Sequence, residues 1–328
     1  MRLLRIIFLV LIVMFSHEAL AREEPDSLDI WDLSLDEILN LKVVAAQKTE
    51  REINRIPASV VVITKREIQR YGCNSLQDVL NMVPGLYLWN GYHVRGRINS
   101  GIRGYTSSDN VIILVNGVNQ VEGVYNEYLL TKVGVPIEAI DRVEVVRGPM
   151  SVLYGNGAFF GVINIITNSF DEGSKREFSL LGGSNKYIRG TAKISAVGEE
   201  FKVGITASGF YTRGLDQPYK DMMSDPSELL NWGLEEESTT GGMLKEQNKY
   251  FNLSLKYKGL TSDFTHTEIE RGGFLVQPTV QYSPTRRHST NFMTSYEHEL
   301  NKKIKFKGKF SYLTPDAIAF YFLNEEDS

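Results

Sequence analysis

A single cysteine, only ten prolines and no second long apolar run set the first limits on this sequence of 328 residues. With Cys73 alone, neither a disulfide framework nor a cysteine-based metal site can be assembled, and the residue reads as a small, half-buried thiol at a turn. Neither sign of charge is in excess: 36 Lys and Arg stand against 40 Asp and Glu, a net charge of -4. Such a chain lacks the basic face that nucleic acid requires. The serines, histidines and carboxylates form no nucleophile elbow, and no glycine loop runs into Lys and Ser or Thr as a phosphate cradle does. No catalysis and no cofactor are therefore expected. The apolar run, Ile6 to Phe15, follows Arg2 and Arg5 and precedes the small triplet Ala19, Leu20, Ala21. This is the layout of a secretory signal peptide over residues 1–21, too short for a membrane-spanning helix. If the exported protein meets a membrane again, it must do so as a β-barrel, because hydrocarbon does not tolerate unpaired backbone.

What the chain does have is glycine and aromatic residues: 28 Gly, 16 Tyr and 16 Phe, a composition suited to sheets with interfacial aromatic girdles. Its most specific stretch is Val143 to Thr167, VEVVRGPMSVLYGNGAFFGVINIIT. This reads as strand, break at Arg147-Gly148-Pro149, one helical turn over Ser151 to Tyr154, positive φ at Gly155, Asn156 and Gly157, and strand again from Val162. Upstream, Ser59 to Ile63 is an apolar strand. Thr64 with Glu67, and Ser75 with Asp78, are capping boxes for two short helices, the first stopped by Gly72 and the second by Pro84 and Gly85. Leu86 to Trp89 is extended, and Val111 to Val115 is a buried strand running into the hairpin signal Asn116-Gly117. Asn119 to Leu130 is polar and loop-like. Pro136 opens a short helix through Ile140, and Arg142 to Val146 is a strand. Together these elements make a compact α+β unit.

The order RGP, LYG, small-residue turn, GVINI resembles the end of the plug domain of TonB-dependent outer-membrane receptors. Phe159 and Phe160 depart from that pattern, since they occupy positions usually held by small residues. The resemblance implies a plug over residues 57–167, preceded by a periplasmic segment over 22–56. In that segment a short strand, the TonB box, would pair with a TonB-type energy-coupling protein by strand addition; Leu41, Lys42, Val43, Val44, Ala45, Ala46 and Gln47 are the matching stretch, without the usual threonine-valine pattern. A disordered linker with a few valines is the plainer reading of the same residues. The resemblance also implies that apical plug loops touch the ligand. These correspond to Trp89, Tyr92, His93, Arg95 and Arg97, and to Tyr125 and Tyr128, where aromatic area and guanidinium groups suit an anionic chelate. Arg103 of the IRG element, Glu144 and Arg147 of the RGP element are expected to hold the plug to the barrel wall.

From residue 168 onward the pattern changes to strict alternation. Phe201, Val203, Ile205, Ala207, Gly209 and Tyr211 share one strand face, Phe251, Leu253, Leu255 and Tyr257 another, and Ile304, Phe306, Phe310 and Tyr312 alternate with lysines. A soluble antiparallel sheet alternates too. The connections favour an outer-membrane barrel: tight links at Gly198 to Glu200, Lys258-Gly259 and Asn301-Lys302, and long polar ones at Arg213 to Lys249 and Arg271 to His288. About seven strands are readable over 168–328, whereas a lumen that holds a plug belongs to barrels of about 22. The expected architecture is an α+β plug followed by an incomplete antiparallel transmembrane β-barrel, the N-terminal portion of a larger receptor that would not transport by itself.

The function implied by the resemblance is energised uptake, across the outer membrane of a Gram-negative cell, of a scarce ligand such as a ferric siderophore (an iron chelate), cobalamin or haem. Its partners would be the coupling protein, that ligand and outer-membrane lipid. The alternative is a secreted, soluble β-rich binding or adhesion protein. His266 and Glu268 share one face of a predicted strand, but two ligands without a third describe a solvated strand face better than a metal site.

Overall fold

The computed structural model describes residues 42–43, 51–52, 59–90, 98–102, 105–106, 110–120, 133–167, 170, 173–221, 225, 227–231, 234–241, 245–272, 285–301 and 304–314. Two short strands come first, β1 (Lys42–Val43) and β2 (Arg51–Glu52), paired antiparallel.

The α+β unit is built on a five-stranded sheet of order β3-β9-β10-β7-β8. Its strands are β3 (Ser59–Thr64), β7 (Val111–Val115), β8 (Val118–Asn119), β9 (Ile140–Arg147) and β10 (Gly161–Thr167). The motif strands β9 and β10 pair antiparallel at its centre, and β10 pairs parallel with β7. Central strands covered on both faces cannot alternate, and β7 is buried at all five positions. Both capping boxes form: Thr64 caps α1 (Lys65–Arg70) with Glu67, and Ser75 caps α2 (Leu76–Asn81) with Asp78. At the β7–β8 turn Asn116 and Gly117 have φ of 48° and 74°, the doubly left-handed turn that two-residue hairpins favour.

After β9, α3 (Ser151–Tyr154) makes one turn. Gly155 and Gly157 adopt positive φ, but Asn156 does not, so the glycines alone reverse the chain. The two unexpected phenylalanines pack edge to face, with centroids 4.8 Å apart; Phe160 lies against the core while Phe159 is exposed. A three-stranded sheet, β4 (Leu86–Asn90), β5 (Ile98–Ile102) and β6 (Tyr105–Thr106), completes the unit.

The second unit is one antiparallel sheet of seven strands in chain order: β11 (Lys175–Gly183), β12 (Tyr187–Val197), β13 (Phe201–Thr212), β14 (Glu246–Tyr257), β15 (Leu260–Arg271), β16 (Thr285–Asn301) and β17 (Ile304–Leu313). The tight and long connections alternate as the sequence implied. β14 begins earlier than apolar alternation alone suggests. Its charged start is held in the ladder by cross-strand pairs, Arg271 Nη2 to Glu246 Oε1 at 2.8 Å and Lys249 Nζ to Glu268 Oε2 at 2.7 Å.

The two faces of this sheet are reversed relative to a soluble protein. One face is exposed and apolar: Phe178, Leu180, Ile188, Ile205, Phe251, Leu253, Phe306, Phe310 and Tyr312. The other is buried and polar: Arg189, Thr191, Lys193, Thr206, Asn252, Ser254, Asp263, Thr265 and Asn291. A sandwich would bury the apolar face, so the soluble alternative fails on the side of the sheet that the first unit covers.

Candidate functional site

The buried polar face of the wall grips the plug through charge. Lys65, at the start of α1, reaches across to Glu177 of β11, with Nζ 2.8 and 2.6 Å from the two carboxylate oxygens. Arg189 of β12 pairs with Glu138 at 2.9 Å and donates to the Asn74 carbonyl at 2.9 Å. Lys193, two residues on and on the same face, pairs with Asp141. Lys65, Glu138, Glu177, Arg189 and Lys193 border a cavity of about 550 Å³ between plug and wall, which Cys73 also lines. Burial and the nearby Asp78 carboxylate raise the pKa of the Cys73 thiol, which keeps it protonated and unreactive.

Around the sheet the contacts continue as single hydrogen bonds. Asn248 donates to the Gly134 carbonyl at 2.9 Å, Asn291 to Gln120 at 3.3 Å, and Lys309 to the Gly117 carbonyl at 2.9 Å. Gly134 sits at φ +65°, and a Cβ there would lie 3.0 Å from Ile269 and 3.2 Å from Thr267. The plug backbone thus approaches β15 as closely as glycine alone permits. Tyr250 of β14, 3 % exposed, joins the apolar cluster of the plug itself.

Inside the plug, Glu144 is fully buried and Arg142 Nε donates to it at 2.9 Å. Asn164 Nδ2 also approaches it, at 3.3 Å, while Asn164 Oδ1 accepts from the Gly117 amide at 3.1 Å. This chain of bonds ties β9 to β10 and to the β7–β8 turn. The guanidinium of Arg147 donates to the Pro84 carbonyl at 2.5 Å and to Ser59 Oγ at 2.6 Å. Both acceptors belong to the plug, so these bonds lock β9 against β3 and the end of α2.

The expected wall contacts at Glu144 and Arg147 are therefore described by bonds within the plug. The ion pairs described across the seam, Lys65 with Glu177, Arg189 with Glu138 and Lys193 with Asp141, fall on no motif. None of them stands out in the sequence. Of the expected ligand residues, Trp89 lies in β4 opposite Asn99. Tyr92, His93, Arg95, Arg97, Tyr125 and Tyr128 lie outside the described residues, as does Arg103. Of the coupling segment, Lys42 and Val43 form β1, in register with Glu52 and Arg51; Leu41 and Val44 to Gln47 lie outside the described residues, as does the signal peptide.

Comparison with known proteins places this geometry. Residues 52–162 match the family model of the TonB-dependent receptor plug domain. The chain is 33% identical over 267 residues to the vitamin B12 transporter BtuB of Vibrio vulnificus (strain CMCP6), a match covering 76% of this chain and 40% of that protein. Among solved structures it is similar to the pyoverdine outer-membrane receptor FpvA of Pseudomonas aeruginosa PAO1, with a TM-score of 0.62, 16% identity, and coverage of 83% of this chain and 39% of that one. It is similar also to the alcaligin outer-membrane receptor FauA of Bordetella pertussis, with a TM-score of 0.59, 18% identity, and coverage of 87% and 44%. The chain thus spans 40% of the length of the curated relative it matches.

Proposed function

We infer that this chain, which belongs to the TonB-dependent outer-membrane receptors and carries their plug and seven strands of wall, serves energised import of a large, scarce metal chelate. Cobalamin and ferric siderophores are the ligand classes its similarities favour, with haem the third. The relative named a vitamin B12 transporter supports the first, and the fold shared with pyoverdine and alcaligin receptors supports the second. The work of such a protein is transport across the outer membrane rather than catalysis. The observation that carries this reading is the inverted sheet clasping a plug: apolar toward lipid, polar toward a globular stopper held by ion pairs. Ionic contacts hold position yet can be replaced by water when the plug is pulled, which a continuous apolar seam would resist.

In this reading residues 1–21 are a leader, 22–56 a periplasmic segment, 57–167 the plug and 168–328 wall. The Leu41 to Gln47 segment couples to a TonB-type protein by adding a strand. That Lys42 and Val43 already pair as a strand supports this. Trp89, Tyr92, His93, Arg95, Arg97, Tyr125 and Tyr128 meet the ligand, the arginines pairing with its anionic groups.

Uptake of labelled cobalamin and of ferric siderophores, by cells expressing the complete receptor with and without the coupling protein, tests the function. Accumulation of one class only when coupling is intact is expected; equal accumulation without it overturns the reading. Replacing Val43 and Val44 by proline, which removes strand donors, should abolish capture by the coupling protein, and changing Arg95 and Arg97 to glutamine should weaken ligand binding.

A further inference from the structure

The lipid-facing side of the wall carries a cluster that import does not use. The register that pairs β15 with β16 sets His288 directly opposite Glu268 and Thr290 opposite His266. His266 and Glu268 are two residues apart on one strand and so share a face. The imidazole nitrogens of His266 and His288 and a carboxylate oxygen of Glu268 lie within 4.8 Å of one another. Two ligands visible in the sequence thus acquire a third, contributed from across the long connection between the strands.

Secondary contacts already orient the set. His266 Nδ1 is 2.8 Å from Thr290 Oγ1. When the hydroxyl accepts the Nδ1 proton, Nε2 is left with the lone pair that a metal takes, 3.6 Å from Glu268 Oε1; when the hydroxyl donates, Nε2–H faces that carboxylate instead. Lys249 holds the other oxygen, Oε2, at 2.7 Å, which fixes the carboxylate with Oε1 turned toward the imidazole. Metal-bound histidines characteristically have their second nitrogen engaged in this way.

We propose that His266, Glu268 and His288 form a binding site for a borderline divalent cation, Zn²⁺ in the first instance. Two imidazoles and one carboxylate are a donor set that favours zinc and its neighbours over magnesium or calcium, whose ligands are oxygens. Bonds of about 2.0–2.1 Å in tetrahedral geometry put donors about 3.4 Å apart, so the cluster closes by little more than about 1 Å, and the exposed His288 is free to supply the movement. Water takes the fourth position. The site lies at the edge of the apolar band: on the same face Phe251 stands directly opposite His266, Phe264 and Phe292 follow toward the tight turns, and toward the long connection come Glu270 and Arg286, which pair at 3.1 Å. A cation there cross-braces β15 and β16 where the wall leaves the lipid, away from the plug and the import path.

Co²⁺ is the probe, added to the full chain folded in detergent micelles, with Zn²⁺ as competitor. A visible absorption band of tetrahedral strength is expected, displaced by Zn²⁺, lost in His266→Ala and in His288→Ala, and retained in His298→Ala. Thr290→Val keeps all three ligands and should weaken binding about tenfold, the usual cost of removing such an orienting contact. No band in the folded chain, a band that survives His288→Ala, or one that persists after unfolding in urea would each overturn the site.

Discussion

Plug and wall are both predominantly β, yet they solve opposite burial problems. In the plug, β7 and β10 bury aliphatic side chains on both faces, with Ile112, Val162, Ile163 and Ile165 fully inaccessible. In the wall, β14 buries Asn252 and Ser254 while Phe251 and Leu253 stay exposed. One chain is thus written for two solvents. Hydrophobic burial holds the plug together whether or not lipid is present, whereas the wall gains nothing from water on its outer face and needs hydrocarbon there. The seam between them belongs to neither regime and is held by ion pairs and amides.

The comparison is broken most severely at the centre of the plug. Ile163→Ala leaves a cavity beneath β9 and β7 and should destabilise the plug by about 2–5 kcal/mol, measured as a lowered urea midpoint of plug unfolding. On the outer face of the wall a truncation of the same size, Leu253→Ala, should matter far less in micelles. The change that matters there is charge: Leu253→Arg faces lipid and should cost about 2–4 kcal/mol near the bilayer midplane, and less toward either interface, read from folding yield into lipid vesicles. If Ile163→Ala were harmless, or Leu253→Arg tolerated in lipid, the two-solvent account would be wrong.

How much of this was legible in the residues depends on which solvent they faced. The plug could be read almost element by element, because its signals are local: Thr64 with Glu67, Ser75 with Asp78, Asn116-Gly117, and the RGP to GVINI run each specify a turn or cap within a few positions. The wall showed its period, and hence its strands, but alternation does not say which face is covered. Only the presence of the plug against Arg189 and Lys193 decides that. The charged starts of β14 and β16 read as loop because their pairing is cross-strand and invisible to a one-dimensional pattern. The clasp residues were missed for the same reason: Lys65 and Glu177 are brought together by topology, not by spacing. His288 joins His266 and Glu268 through register alone.

At the seam the expected effects are intermediate. Arg189→Met removes the partner of Glu138 and the donor to the Asn74 carbonyl while keeping the aliphatic stem. A loss of about 1.5–3 kcal/mol in plug retention is expected, the range for charged hydrogen bonds, observed as faster proteolysis of the plug with the wall intact. Gly134→Ala tests the same seam without charge. A methyl group at positive φ strains the plug backbone and, facing Ile269 and Thr267, also loosens the plug from β15, so the loss at the seam should exceed the loss in plug stability. Equal loss in plug and seam would mean that the two units fold as one body.

The smallest effect concerns the buried charge inside the plug. Burial and the neighbouring Glu144 carboxylate raise the Tyr154 hydroxyl from its ordinary pKa of 10 to about 12. A phenol that ionises less readily when folded is neutral in both states below pH 10, so its contribution is fully present there. As pH rises from 10 toward 12 the unfolded chain ionises first, and stability falls across that window. Tyr154→Phe removes the titration, so the variant should show a shallower decline of plug stability between pH 10 and 12, with little change near neutrality. The wall, which this substitution does not touch, supplies the internal reference: its own alkaline transition should be the same in both proteins. A decline of equal slope in the two plugs would show that the Glu144 charge is screened from Tyr154, and that the centre of the plug is wetter than its fully buried valines and isoleucines imply.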